Sequence, residues 1–293
     1  MRAERDRRNG SFRDAPVPAV AGGRYGRRMI SRPEPTPDLE VRVTYIGGPT
    51  ALIEVGGLRL LTDPTFDPAG TRFRLTTKLA GPALAPGALG RVDAVLLSHD
   101  QHPDNLDDAG RGVLSRAGVV LTTRAGASRL GANAVGLAPW EAYALLGTGG
   151  RVRVTAVPAR HGPAELVSRI GDVTGFVVSR EGAGAGALYV SGDTVFFDGV
   201  AEIGRRFELG TAFLHLGAVR LPDYGPERVT MDAEEAVFAF ENLGAQRFVP
   251  LHFEGWSHLR ESREQLRAVF DRKGIADRVV WLEPGRTISL GHD

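Results

Sequence analysis

The sequence predicts an α/β fold, and three observations carry the prediction. Short apolar runs of strand length, bounded by glycine and proline turns, recur from Val41 onward. Segments of helical period alternate with several of them. Two successive β-rich halves each end in helices.

In order, Val41 to Ile46 alternates as a strand, Gly47-Gly48-Pro49 supplies turn chemistry, and Ala51 to Val55 pairs back as a hairpin. A third strand over Leu58 to Leu61 ends in Thr62-Asp63-Pro64, and residues 66 to 91 read as a long irregular connection overhanging a site. Within it Arg72, Arg74 and Lys78 are candidates to meet an anionic substrate, although a solvated loop is the simpler reading. Asp93 to Leu97 is a buried-type strand, followed by helices near 107 to 116 and 125 to 131 around a strand at Val119 to Thr122. Val152 to Val157, Gly175 to Ser179 and Ala187 to Val190 are strands, and the glycine run Gly182 to Gly186 is a hairpin loop with no helix after it to bind phosphate. Asp232 and Ser262 begin helices that end at Gly244 and Gly274, Arg247 to Leu251 is a strand between them, and Val279 to Leu282 is expected as the closing strand.

With 293 residues, 42% hydrophobic and 24% charged, the chain has material for one large domain or two small ones. A net charge of +1 argues against general attraction to nucleic acid or an anionic membrane, so neither is expected as a partner. Residues 1 to 38 are rich in arginine, proline and glycine with little apolar periodicity, and read as a disordered solvated tail in preference to a nucleic-acid or partner arm; Met29 is an alternative start. The folded domain is then 39 to 293. No apolar run approaches the roughly 18–20 residues that span a bilayer, and Arg7-Arg8 lacks the apolar segment of an export signal, so the expected compartment is the cytoplasm. The oligomeric state is open, a homo-oligomer included.

Chemistry concentrates at strand ends. Ser98 to Asp107 carries two imidazoles and several carboxylates directly after Val95-Leu96-Leu97; His161, Asp193, His215 and His252 each follow or end another predicted strand. Without cysteine, a metal must be held by imidazole, carboxylate or amide groups. Asp100, His102, Asp104, His161, Asp193 and His252 are the candidates for one shared site with a position left for water.

The order Thr62-Asp63-Pro64, Ser98-His99 to Leu106-Asp107, His161-Gly162, Ser191-Gly192-Asp193-Thr194 and Leu251-His252 resembles the metallo-β-lactamase superfamily, in particular the branch of NAPE-hydrolysing phospholipase D and ascorbate-6-phosphate lactonase. The resemblance runs from about Val41 to Leu290 and implies a four-layer αβ/βα sandwich of two mixed sheets flanked by helices. The family signature His-x-His-x-Asp-His is altered here by one extra residue. Anchored on Asp104 it reads Asp100-x-His102-x-Asp104-Asn105; anchored on His99 it keeps one ligand and loses two. The first alignment retains the central His and Asp and continues into Leu106-Asp107, while a bulged loop would bring His99 back as a ligand.

In that alignment the resemblance implies one divalent ion on Asp100, His102 and His161, a second on Asp104, Asn105 and His252, and Asp193 bridging. One or two ions are expected, zinc or manganese first, with iron or magnesium as alternatives. The implied reaction is water attack on an ester, lactone, amide or phosphodiester of a small-molecule substrate, with Asp104 orienting the water and His215 at the oxyanion or leaving group. Trp256, His258, Arg220 and Tyr224 are expected near the pocket rim. Two alternatives are iron-dependent redox chemistry on the same ligands and a non-catalytic binding protein with a degenerate metal site.

Overall fold

Strand alternation splits the apolar side chains of this protein into layers. The computed structural model describes residues 41–182, 186–221, 223 and 225–291. The expected tail, Arg7-Arg8, Met29, Tyr224 and residues 183–185 lie outside the described residues.

The first sheet contains β1 (Val41–Gly47), β2 (Thr50–Val55), β3 (Leu58–Thr62), β4 (Ala94–Leu96), β5 (Val119–Thr123) and β6 (Ala134–Leu137). The second contains β7 (Ala142–Gly147), β8 (Gly150–Pro158), β9 (Thr174–Arg180), β10 (Ala187–Val190), β11 (Leu209–His215) and β12 (Arg247–Leu251). A last strand, β13 (Thr287–Ser289), returns to the first sheet, giving the orders β13-β1-β2-β3-β4-β5-β6 and β12-β11-β10-β9-β8-β7. Both sheets are mixed. The hairpins β1–β2–β3 and β7–β8–β9–β10 are antiparallel, whereas β3–β4–β5–β6 and β10–β11–β12 run parallel.

Ala94 and Leu96 of β4 pack in one cluster with Val152, Val154, Phe176 and Val178 of the other sheet, so this cluster is the layer between the sheets. Val95 and Leu97 face the opposite way, onto Val113 and Leu114 of α1 (Asp108–Leu114). On the far side, Val177 and Tyr189 meet Val200, Val237, Phe240 and Leu266. Those four belong to α4 (Asp198–Arg206), α5 (Ala233–Leu243) and α6 (Arg263–Arg272). The remaining helices are α2 (Arg124–Leu130) and the single turn α3 (Val167–Ile170). The result is the expected four-layer αβ/βα sandwich, driven by a period of two on each strand and apolar faces on the helices.

Most predicted elements are present within a residue or two, but the closing strand is elsewhere, and β6, β7, α3 and α4 have no counterpart in the sequence expectation. Val279 makes only an isolated bridge to Phe248, because Trp281 turns out to pack on Phe253 and Phe270; the closing strand is β13, paired antiparallel with β1. Strand β7 sits at a sheet edge with alternating exposure, and α4 buries Val200 and Ile203. Among the described residues no helix is long and apolar enough to cross a membrane.

Candidate metal centre

The metal-ligand candidates of the sequence expectation follow the C-terminal ends of strands, at one edge of the sandwich. β3 leads into Asp63, β4 into Ser98 to Asp107, β8 into His161, β10 into Asp193 and β12 into His252, and β11 ends in His215. The two sheets meet closely here. Gly192 adopts φ +60°, and a Cβ on it would stand 2.6 Å from Ser98 Cβ and 2.8 Å from Thr174 O, so only glycine permits the approach. His252 is left-handed without being glycine, at φ 52°, and its N–H donates to Gly48 O at 3.0 Å. Such backbone strain is concentrated at functional sites.

His99, His102 and His161 form the first group. His161 Nδ1 lies 2.7 Å from Val229 O and can only donate to it, which leaves Nε2 with its lone pair. Ser98 Oγ donates to Asp63 Oδ2 at 2.8 Å and so accepts from His99 Nδ1 at 2.9 Å, leaving His99 Nε2 in the same condition. Both lone pairs converge on His102 Nδ1, at 2.9 Å from His99 and 3.2 Å from His161. Burial, followed by the neighbouring His161, pulls His102 down to about 4; burial and His102 hold His99 well below its ordinary value. These two imidazoles are therefore neutral at pH 7, the form in which histidine ligates metals.

A second group joins Asp104, His252 and His258, and a third joins Asp193, His215 and His252. Asp193 Oδ1 accepts from His252 Nδ1 at 2.9 Å and from His215 Nδ1 at 3.0 Å, while its Oδ2 lies 3.7 Å from His161 Nε2. Asp193 thus stands between the groups. Burial alone would raise Asp104 and Asp193, but contacts with His252 and His258 at Asp104, and with His252 and His215 at Asp193, hold both carboxyls well below the usual range. Burial opposes a charge on His252, yet the Asp193 and Asp104 carboxylates prevail and raise it to about 10. Asp63 behaves differently: burial pushes it up to about 6 against the pull of His215 and Ser98.

The donor set fits a divalent cation. Asn105 Oδ1, His215 Nε2 and His252 Nε2 are all buried without a hydrogen-bond partner, although buried polar atoms are normally paired. They sit beside two anionic carboxylates, a nitrogen and oxygen donor set of the kind that holds a divalent cation.

The structure brings together His99, His102, His161, Asp104, Asn105, Asp193 and His252 from the sequence expectation. It does not bring in Asp100, whose carboxylate turns away to Arg129 with contacts of 2.5 and 2.8 Å. His99 instead turns toward the cluster, its Nε2 2.9 Å from His102 Nδ1. Asn105 gives its amide N–H groups to Asp63 at 3.2 Å and Asp193 at 3.3 Å. His215 is fully buried behind Asp193 and does not line the adjoining cavity. That cavity, of about 540 Å³, is bounded by His102, Asp104, His161, Asp193 and His258, with Arg74 and Arg169 also on its wall. Lys78 does not face a substrate: it is buried against Asp107 at 2.8 Å. Trp256 packs on Phe73 and under Lys78, outside this cavity, and Arg220 is an exposed bridge residue. Sequence reasoning gave no role to Asp63, Ser98 or Thr76 and placed His258 only at a rim. Asp63, directly after a strand, carried the same signal as its neighbours, whereas the hydroxyls carried none.

Two facing mixed sheets, covered by helices and carrying a histidine–aspartate cluster at one edge, define a metallo-β-lactamase fold. Residues 58–253 match the β-lactamase superfamily domain, and the chain belongs to that family. It is 26% identical over 253 residues to a UPF0173 metal-dependent hydrolase of Korarchaeum cryptofilum, covering 85% of this chain and 100% of that protein. A UPF0173 metal-dependent hydrolase of Methanopyrus kandleri is 28% identical over 259 residues, covering 84% and 99%. Among solved structures, an isothiocyanate hydrolase from Delia radicum gut bacteria superposes with a TM-score of 0.72 at 23% identity, covering 84% of this chain and 98% of that one. The metallo hydrolase Igni18 of Ignicoccus hospitalis gives 0.64 at 23% identity, covering 87% and 100%.

Proposed function

We propose that the protein is a metal-dependent hydrolase that cleaves an ester, lactone, amide or phosphodiester bond of a small-molecule substrate in the cytoplasm. The observation that carries the proposal is the first histidine group, in which hydrogen bonds to Val229 O and Ser98 Oγ leave two lone pairs converging on a third imidazole. His99, His102 and His161 would hold one divalent ion, a set that suits zinc; Asp104 and His252 face a second position, whose carboxylate also admits manganese. Asp193 would contact both.

When bound, the cation supplies Lewis acidity, bringing the pKa of water toward neutrality and polarising the oxygen under attack. The chain does the rest. Asp104 lines the cavity and is held anionic by two imidazoles, so it can orient the attacking water by accepting a hydrogen bond from it. His215 braces Asp193 from behind and acts through it, as a positioning residue. Ile170, Val219, Leu221 and Val229 give the cavity an apolar wall, with Arg74, paired to Asp223 at 3.3 Å, at its edge, which fits a substrate with an apolar part.

Metal analysis of the purified protein, combined with hydrolysis assays over an ester, lactone, amide and phosphodiester panel before and after chelation, tests the proposal. Activity should vanish with the metal and return with zinc or manganese; full turnover by metal-free protein would overturn it. Redox-active iron after anaerobic purification, with no hydrolysis across the panel, would move the reading to oxidative chemistry on the same ligands.

A further inference from the structure

The second donor group contains an imidazole that the strand-end logic does not supply. His258 lies seven residues along the chain from Leu251, the last residue of β12, in a loop stitched to the 66–91 connection. Ser257 N donates to Thr77 O at 3.0 Å, Thr77 N donates to Ser257 Oγ at 2.9 Å, and Leu79 N donates to Gly255 O at 2.8 Å. These bonds hold the His258 ring over the cluster. Its Nδ1 lies 2.5 Å from Thr76 Oγ1, so a cation that displaces the Nε2 proton now shared with Asp104 would leave an Nδ1–H donating to that hydroxyl. Nε2 stands 2.9 Å from Asp104 Oδ2.

The other members point to the same place. Asp104 Oδ2 is 3.4 Å from His252 Nε2, and that nitrogen is fully buried with no hydrogen-bond partner. The ligating atoms of Asp104, His252 and His258 all lie within 4.8 Å of one another. Asn105, beside Asp104, offers this position no imidazole, and its amide nitrogen is committed to Asp63 and Asp193.

Resting on the metal-centre reading above, we propose that His258 is a protein ligand of a second divalent transition-metal ion, beside Asp104 and His252, supplying the imidazole that Asn105 lacks. Two imidazoles and a carboxylate select a first-row transition ion over magnesium or calcium. The 66–91 connection is thereby part of the centre, since Thr76 fixes the ring that binds. Groups that orient a ligating histidine typically change metal affinity by about 10–100-fold when removed.

The test is zinc stoichiometry and affinity, measured by metal analysis and by competition with a chromophoric chelator on the full chain, with circular dichroism and the unfolding midpoint as checks of folding. The wild type should hold two equivalents and His258→Ala one. Thr76→Val, which keeps the imidazole and disturbs little packing, should keep two while weakening the second by about tenfold; it decides the matter if His258→Ala does not fold. Two equivalents at wild-type affinity in His258→Ala, or unchanged affinity in Thr76→Val, would overturn the assignment. So would loss of both ions from folded His258→Ala, or a single equivalent in the wild type. A wild type that binds no zinc, manganese or iron would instead remove the metal-centre reading itself.

Discussion

Asp100 and His99 are adjacent in sequence and opposite in fate. The strand end made both candidates, but a one-residue difference in a loop reverses which side chain points inward, and pattern alone does not fix that direction. What fixes it is Arg129, twenty-nine positions away on α2, which takes both oxygens of Asp100. The buried carboxylate, 4% exposed, therefore serves the fold. Asp100→Asn should keep metal content and turnover while lowering stability by about 1 kcal/mol, since Arg129 is half exposed and its pairing is screened. His99→Ala should lose metal and turnover with little change in the unfolding midpoint. Paired metal analysis and thermal unfolding distinguish the two, and the reverse pattern would restore the Asp100 alignment. His161→Ala and Asp193→Ala, each cutting a contact to both neighbours in the cluster, should reduce turnover to background in the hydrolysis panel.

Elements were legible where capping chemistry was local. Ser262 accepts from Gln265 N and Gln265 answers on Ser262 N, the capping box expected from four consecutive residues. Asp232 caps α5 through Glu235 N, but Glu235 itself turns to Phe196 N and Arg228, a distant commitment that the four-residue motif conceals. Asp107 shows the same limit more strongly. It caps α1 at Gly110 N, and it also accepts from Phe66 N, Asp67 N and Lys78 Nζ, each at 2.8 Å. One carboxylate thus fastens the 66–91 connection to the helix behind the cluster. Asp107→Ala would leave Lys78, 3% exposed, as an uncompensated buried charge, and should cost about 3–5 kcal/mol in denaturant unfolding. Gly192→Ala should lower stability by at least about 1–2 kcal/mol from left-handed backbone alone. Its Cβ would also press on Ser98, so zinc affinity should fall with stability; unchanged affinity would show that the approach of the two sheets does not position His99.

At the scale of the whole molecule, the sequence made the sandwich readable because each strand divides its side chains between the inter-sheet layer and a helix layer. The chain's closure was less readable, since β13 has only three residues, Thr287, Ile288 and Ser289, with partners at the far end of the sequence. That closure bears on the domain boundary. β1 lies between β2 and β13, Leu290 N donates to Val41 O at 2.8 Å, and Val41, Val43 and Tyr45 belong to the inter-sheet cluster. We propose that the hydrolase domain spans 39–293, since β1, the first described element, is paired on both sides within it. A chain starting at 39 should keep the unfolding midpoint and metal content of the full chain. Deletion through Gly47 would strip a strand paired on both sides and remove Val43 and Ile46 from two separate clusters, so it should prevent cooperative folding. A markedly lower midpoint for the shorter deletion would move the boundary into the first 38 residues and make them part of the folded unit.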